Sequence, residues 1–365
     1  YTAWAKQGTG SVVVSPASRA ALAINTYLTA DSADATGKTF LITTYNDGAG
    51  RSDLSNMLAF VESGSGGAVN GYTFKLNGTL DMSSATTPYI PYFGATEFKG
   101  NTYTVSNFAF NRPTSTIGFL GAVYKSTVTD LKVTSSGLVN GLEYVGAAIG
   151  SAYNATISGG VATLGANVSG NNYIGGLAGY IGQSVIYNTN TYQAVSAPSA
   201  QVTNTTNTNA NIAPATGDVG GLAGRMDAVA ATNLSSNLPV SGTTYVGGLI
   251  GFYNSAYAPN NANVTNYLGT QLSASGAVTG SGMYVGGLIG QYSFSIGYSF
   301  TTEVTNLSYS SASGAVTGSS TNVGGLIGAA NGWVFDNLSA TTGTVTQTAG
   351  SNVGGLIGSL GYYTN

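Results

Sequence analysis

The chain has 365 residues, of which only 6% are charged, whereas about 25% of the residues in an ordinary globular protein are charged. It contains no histidine and no cysteine, which excludes disulfide bonds, thiol nucleophiles, thiolate metal sites and histidine acid–base chemistry. The formal net charge of −3 and the lack of a long apolar run argue against nucleic-acid binding and a membrane span.

Nine of the ten basic residues lie at or before Lys132, so charge is concentrated towards the N-terminus. We assign residues 1–69 to an N-terminal cap or assembly region. Ser52–Ser63 carries four apolar residues at helical spacing, Leu54, Met57, Leu58 and Val61. Since Ser52 or Asp53 can cap its first turn, we predict a short helix here that covers the first coil of the next region.

Residues 70–115 contain two segments typical of strands joined by turns, Asn70–Ser83 and Phe98–Phe110, and we assign them to the first coils of a β-helix. Residues 116–365 repeat a glycine-rich heptad, which reads Y-V-G-G-L-I-G at both Tyr245 and Tyr284. Eight copies share a leading glycine: Gly118, Gly146, Gly175, Gly220, Gly247, Gly286, Gly324 and Gly354. Their irregular spacing, within the range of repeat units, predicts a solenoid with inserted loops.

Each unit shows three strand-like segments, V-G-G-L-I-G, V-x-N-L-S and G-x-V-x-G, rich in valine and threonine and separated by turn residues. The sequence therefore predicts an all-β fold, a parallel, three-sided β-solenoid that we expect to be right-handed. Treated as one strand, the heptad places apolar residues and glycines on both faces. Either the two glycines form a bulge, or the strand is buried on both faces and glycine lets another layer approach closely. We favour the second interpretation slightly.

An asparagine recurs near the second segment, at Asn233, Asn266, Asn306 and Asn337. Stacked coils would place these side chains above one another, where they can bond their neighbours or cap turns. The alternative is N-glycosylation, since three of the four lie in N-x-S sequons.

The repeats contain one cluster of charged residues, Asp218, Arg225 and Asp227. If the heptad between Asp218 and Arg225 is one extended strand, their Cα atoms lie roughly 20 Å apart. We therefore expect a surface ion pair between Arg225 and Asp227, no catalytic, cofactor-binding or metal-binding residues, and no enzymatic activity.

The last heptad begins at Asn352, and the other two segments of its coil do not follow within the sequence. We expect Val353, Leu356, Ile357 and Leu360 to form a subunit interface. A second copy of the chain, joined head to tail or by strand donation, would cover them.

These residues resemble the GLUG motif, the Gly-Leu-any-Gly repeat of bacterial adhesin-like surface proteins, over roughly residues 70–358. The resemblance implies an exported, surface or extracellular β-helical protein, and it does not imply an activity. Together with the mature-looking start at Tyr1, it leads us to expect an extracellular structural protein that forms filaments by self-association. The alternatives are a monomeric adhesin stalk that binds glycans or other surfaces, and a polysaccharide-degrading β-helix enzyme.

Overall fold

A computed structural model of the protein describes residues 28–44, 53–54, 56–57, 71–83, 90–94, 97–112, 116–182, 195–198, 201–203, 212, 217–227, 229–257, 269–296, 305–319, 321–331, 334–340 and 343–361. These residues form a parallel β-solenoid, which confirms the predicted fold class. No helix among them is long and apolar enough to cross a membrane.

The N-terminal part of the solenoid contains fifteen of the described strands. In chain order they are β1 (Thr29–Ala30), β2 (Thr39–Ile42), β3 (Thr73–Leu76), β4 (Leu80–Asp81), β5 (Ile90–Gly94), β6 (Glu97–Lys99), β7 (Thr104–Asn111), β8 (Leu120–Tyr124), β9 (Thr127–Thr129), β10 (Lys132–Asn140), β11 (Glu143–Val145), β12 (Ile149–Tyr153), β13 (Thr156–Ser158), β14 (Val161–Leu164) and β15 (Val168–Ser169).

The middle of the solenoid contains the next fourteen strands. They are β16 (Asn172–Gly175), β17 (Ala178–Gly182), β18 (Val195–Pro198), β19 (Gln201–Thr203), β20 (Asp218–Gly220), β21 (Ala223–Asp227), β22 (Val229–Thr232), β23 (Ser235–Ser236), β24 (Val240–Gly242), β25 (Tyr245–Gly247), β26 (Ile250–Tyr257), β27 (Gly269–Thr270), β28 (Ser273–Ala274) and β29 (Val278–Gly280).

The C-terminal part contains the remaining twelve strands. They are β30 (Tyr284–Gly286), β31 (Ile289–Ile296), β32 (Thr305–Ser308), β33 (Ser311–Ala312), β34 (Val316–Gly318), β35 (Asn322–Gly324), β36 (Ile327–Asn331), β37 (Val334–Asp336), β38 (Ser339–Ala340), β39 (Val345–Gln347), β40 (Asn352–Gly354) and β41 (Ile357–Gly361).

The strands stack like on like into long sheets that run along the solenoid. Sheet A has the order β1-β2-β3-β6-β9-β13-β18-β22-β27-β32-β37, and sheet C has the order β5-β8-β12-β17-β21-β26-β31-β36-β41. Sheet B runs from β4 to β38 and is continued beside it by β24-β29-β34-β39, and sheet D has the order β11-β16-β20-β25-β30-β35-β40. Every pairing between these strands is parallel except that of β1 with β2.

One regular coil, such as residues 245–280, visits sheets D, C, A and B in turn. It uses five strands, and not the three strand segments that the sequence predicted, because the heptad and the last segment each contribute to more than one strand. The heptad is therefore two strands and not one. Residues 245–247 belong to sheet D, residues 250–251 begin the strand in sheet C, and Gly248 and Leu249 form the corner between them. The N–H groups of the corner also donate to the next coil, as the N–H group of Leu249 does to the Leu288 carbonyl (2.9 Å). The corner therefore takes part in the hydrogen bonding between coils.

The core lies between the sheets. It is filled by rows of apolar side chains, and each row contains the residues that occupy the same position in successive coils. In a heptad such as residues 284–290, the valine, the leucine and the isoleucine are all fully buried. Towards the N-terminus, phenylalanines replace the aliphatic rows, and Phe93, Phe98 and Phe119 pack edge to face with ring centroids 5.8–5.9 Å apart. Edge-to-face packing is a favoured geometry for aromatic rings.

At the N-terminal end of the described solenoid, sheet A reaches further than the other sheets. Sheet A extends there by β2 and the antiparallel strand β1. Residues 53, 54, 56 and 57 are helical, and Leu54 and Met57 are buried in the core. The Asp53 carboxylate also accepts the N–H groups of Thr43 and Thr44 (2.8 and 3.0 Å). The rest of the predicted helix, including Leu58 and Val61, lies outside the described residues.

Candidate functional site

The leading glycines of the heptads lie where sheets D and C pack against each other. A Cβ atom on Gly286 would overlap the carbonyl oxygen of Ile289 and lie 2.6 Å from the backbone nitrogen of Gly328 in the next coil. A Cβ atom on Gly290 would lie 2.5 Å from the backbone nitrogen of Val246 in the preceding coil. The favoured interpretation, one strand buried on both faces, is wrong because the heptad is two strands joined by a corner. The glycines do permit close approach of a second layer. That layer is the next strand of the same heptad.

The corner between sheets A and B requires a left-handed backbone. Its first residue has a positive φ of 48–64° in six coils: Asp130, Gly159, Asn233, Gln271, Tyr309 and Asn337. Asparagine, aspartate and glycine tolerate this conformation better than other residues do. The corner explains why asparagine recurs at Asn233 and Asn337.

The predicted asparagine stack is wrong for Asn306. Thr232, Thr270 and Ser308 share one register row, so Tyr309 and not Asn306 occupies the corner of its coil. Asn306 lies three residues earlier, within β32. Asn266 lies outside the described residues.

A row of tyrosines follows the outer edge of sheet D. Tyr144 of β11 is in register with Tyr173 of β16 and stacks on it, with ring centroids 4.9 Å apart. Tyr245 stacks on Tyr284 in the same way, with ring centroids 5.5 Å apart. Asp218 occupies the row position between the two tyrosine pairs. The tyrosine row is therefore interrupted by one carboxylate.

Arg225 fills this interruption from sheet C. Its guanidinium lies 4.3 Å from the ring centroid of Phe252 and 5.9 Å from that of Tyr173, within the range of cation–π contacts. Its Nη1 atom is 3.5 Å from Asp218 Oδ2, and its Nε atom donates to Asp227 Oδ2 (2.8 Å). The prediction that the heptad holds Asp218 and Arg225 far apart is wrong, because the corner folds the two strands against each other.

The predicted ion pair between Arg225 and Asp227 is present, but the cluster is partly buried and also includes Asp218. The Asp218 side chain is 7% exposed, and burial raises the pKa of its carboxyl group to about 7 although Arg225 opposes the shift. Asp227 pairs with the same guanidinium. Chemically the cluster can take up or release one proton near neutral pH, but the buried carboxyl group of Asp218 has little access to a substrate. Among the described residues, no group of three or more acidic side chains could hold a metal ion.

The predicted interface residues lie together at the C-terminal end of the solenoid, where β40 and β41 are the last strands of sheets D and C. Val353 is 56% exposed, Leu360 is 47% exposed, Leu356 is also exposed, and Ile357 is half-buried. Their register partners in the preceding coil are fully buried: Val323, Leu326, Ile327 and Ala330. We call Val353, Leu356, Ile357 and Leu360 the apolar end row.

Gly355 is the corner glycine of this last coil. In the preceding coils, a Cβ atom on Gly287 or Gly325 would overlap the carbonyl oxygen of the corner glycine one coil further on. A Cβ atom on Gly355 would meet nothing within 4 Å. The sequence indicated the residues of the apolar end row. The open space above Gly355 could not be predicted, because it depends on the corner within the heptad.

No protein-family model matches the chain, and no curated protein matches it. Among solved structures, the chain is similar to one described as a candidate immunoglobulin A1 protease from Bacteroides ovatus. The identity is 15% and the TM-score is 0.44, over 92% of this chain and 86% of that one. A likeness at this level carries no argument about function.

Proposed function

We propose that this protein is an extracellular structural protein of the Gly-Leu-any-Gly repeat class, whose solenoids join end to end in a cell-surface filament or fibre. The observation that supports the proposal is the apolar end row, which has the composition of a buried core row and is exposed. Unpaired strand edges are ready templates for pairing with another chain, and solenoids normally cap them with polar residues.

The energetics also favour association at this end. Burying Val353, Leu356 and Leu360 from their present exposure contributes about 1 kcal/mol each, since a full burial is worth about 1.5–3 kcal/mol. The N–H groups of Leu326 and Ile327 donate to the Leu356 carbonyl (2.8 and 3.0 Å). The N–H groups of Leu356 and Ile357 have no such acceptor among the described residues, so a stacked partner would add hydrogen bonds.

Electrostatics do not oppose contact between two copies. Residues 334–361 contain one charged residue, Asp336. A single charge at this end produces little repulsion, so the hydrophobic gain there is not offset. An apolar surface with so few charges would promote aggregation if it stayed exposed to water.

The test is sedimentation velocity and negative-stain imaging of the purified chain and of Leu360→Asp. We expect concentration-dependent assemblies for the wild type and a monomer for Leu360→Asp. The matched control is Thr279→Asp, which places the same charge on an exposed threonine at the side of the solenoid and should assemble normally. A wild-type chain that stays monomeric at high concentration would refute the proposal.

A monomeric adhesin stalk is the second candidate, favoured by the half-buried tyrosine row of sheet D. The tyrosine rings stack on each other, so a glycan would meet their edges and hydroxyl groups. Glycan-array binding that disappears in Tyr245→Ala would support this candidate, and the absence of binding to any glycan would argue against it.

A further inference from the structure

The chain contains 24 tyrosines and no cysteine, so no disulfide bond can tie its coils together. Two of the tyrosines begin the two heptads that are identical letter for letter, Tyr245 in β25 and Tyr284 in β30. These strands are parallel neighbours in sheet D, and Tyr245 is directly in register with Tyr284. The repeat therefore places the same phenol at the same position of two successive coils.

The two rings are held face to face. Their centroids lie 5.5 Å apart, and their planes are inclined by only 6°. Parallel rings at this separation form an offset stack, in which the edge of one ring lies over the other ring. The residues that follow them, Val246 and Val285, are fully buried and fix both strands in the core. Both tyrosine side chains are half-buried, so small molecules in solution can reach the stack.

We propose that Tyr245 and Tyr284 are a site of oxidative cross-linking, at which a one-electron oxidant joins the two rings as dityrosine. Each phenol loses one electron to the oxidant and its hydroxyl proton to water, which leaves two phenoxyl radicals. A carbon–carbon bond then forms between the ring carbons next to the two hydroxyl groups. The hydrogen on each of these carbons moves to the oxygen of the same ring through water. Each cross-link therefore releases two electrons, taken up by two equivalents of oxidant, and two protons.

The stack makes the coupling of the two radicals an intramolecular step. Tyrosyl radicals on separate chains must meet by diffusion, whereas these two rings are already in contact, which gives them a high effective concentration. The new bond requires the two ring edges to meet, so the rings must slide over each other. Because both side chains project outward from sheet D, this movement takes place outside the core.

The second stacked pair of the tyrosine row, Tyr144 and Tyr173, is less suited to oxidation. The Tyr144 hydroxyl is hydrogen-bonded to Tyr153, and the guanidinium of Arg225 lies 5.9 Å from the ring centroid of Tyr173. A nearby cation opposes the loss of an electron from a ring, because it repels the positive charge that develops there.

A third pair, Tyr253 and Tyr292, shows what the stack adds to proximity. Its ring centroids are 5.4 Å apart, but the rings meet edge to face, and both side chains are fully buried in the core. The Tyr253 hydroxyl also donates to the Val229 carbonyl (2.7 Å). An oxidant in solution cannot reach this pair, so we expect the cross-link at Tyr245 and Tyr284 and not in the core.

The cross-link would be a covalent tie between two coils. A cross-link that closes a loop of about 40 residues restricts the unfolded chain, as a disulfide bond does. The urea midpoint of the oxidised protein should therefore be higher than that of the untreated protein. Since both tyrosines belong to one chain, this proposal does not depend on the proposed end-to-end assembly.

The experiment oxidises dilute protein with photo-oxidised ruthenium tris(bipyridine), a one-electron oxidant, with persulfate as the terminal electron acceptor. The monomer is isolated, methionine sulfoxide is reduced, and cyanogen bromide then cleaves the chain after its four methionines. Met283 directly precedes Tyr284, so cleavage places Tyr245 in the fragment 227–283 and Tyr284 in the fragment 284–365. We expect these two fragments to stay joined after oxidation and to carry dityrosine fluorescence.

The variant Tyr284→Phe keeps a ring in the stack and removes one phenol, so it should unfold like the wild type before oxidation. After oxidation its two fragments should separate, and its urea midpoint should not rise. The matched control is Tyr309→Phe, which removes a 64% exposed phenol from the same fragment and should leave the fragments joined. Wild-type fragments that separate, or Tyr284→Phe fragments that stay joined as fully as those of the wild type, would overturn the proposal.

Discussion

Replacement of Gly286 by alanine tests the packing of sheet D on sheet C. The new methyl group would overlap the carbonyl oxygen of Ile289 and lie 2.6 Å from the backbone nitrogen of Gly328. Both are backbone atoms that cannot rotate away, so the two strands of the corner would have to separate. The matched control is Gly355→Ala, a corner glycine with nothing within 4 Å of the new methyl group.

The size of the effect follows from two opposing terms. Overpacking a tight site costs about 1–3 kcal/mol and sometimes more, and two backbone overlaps place Gly286→Ala at or above the upper end of this range. Alanine also restricts the unfolded chain, which stabilises the protein by about 0.4–1 kcal/mol where the native backbone accepts it. We therefore expect Gly286→Ala to lower the free energy of unfolding by about 3 kcal/mol, and Gly355→Ala to leave it unchanged or raise it slightly.

The assay is urea unfolding followed by circular dichroism of the β signal. With an m-value of roughly 3 kcal/mol per molar urea, a loss of about 3 kcal/mol moves the midpoint down by about 1 M. Equal midpoints for Gly286→Ala and the wild type would refute the packing argument. A Gly355→Ala midpoint as low as that of Gly286→Ala would show that alanine harms the corner for another reason.

Three further outcomes are expected. The pKa of Asp218 is about 7 in the folded state and has its ordinary value of 3.8 in the unfolded state. Between these two values, the folded state therefore holds a proton that the unfolded state has lost. The free energy of unfolding should thus fall between about pH 4 and pH 7 by up to about 4 kcal/mol, and Asp218→Asn should abolish this fall in a urea titration across pH. Asn233→Gly should keep or raise the unfolding midpoint, whereas Asn233→Val should lower the free energy of unfolding by about 1–2 kcal/mol, because φ is 55° there. Arg225→Met should lower the unfolding midpoint at pH 8 but much less in the Asp218→Asn background, which a double-mutant cycle would measure.

Much of the fold could be predicted from the sequence because the solenoid repeats its chemistry in every coil. Strand-like segments, the period of the leading glycines and the apolar rows all follow from local composition. The path of the heptad could not be predicted in the same way. A valine, two glycines, a leucine and an isoleucine are compatible with one strand or with two strands and a corner, and only stacking against Gly328 and Val246 distinguishes them.

The same ambiguity explains why the contact between Asp218 and Arg225 was not predicted. Distances along an extended strand separate Asp218 from Arg225, and the corner brings their side chains together. The position of Asn306 was missed for a related reason, because inserted loops of different length shift the alignment of N-L-S between coils. Tyr309 takes the corner instead, although tyrosine is not a residue that a turn pattern would select.

The most direct test of end-to-end assembly is amide hydrogen exchange at Leu356 and Ile357 as a function of protein concentration. Assembly supplies the acceptors that these two N–H groups lack among the described residues. The account predicts that at high concentration they become as protected as Leu326 and Ile327, and that dilution removes the protection. Fast exchange of Leu356 and Ile357 at every concentration, with Leu326 and Ile327 still protected, would contradict it.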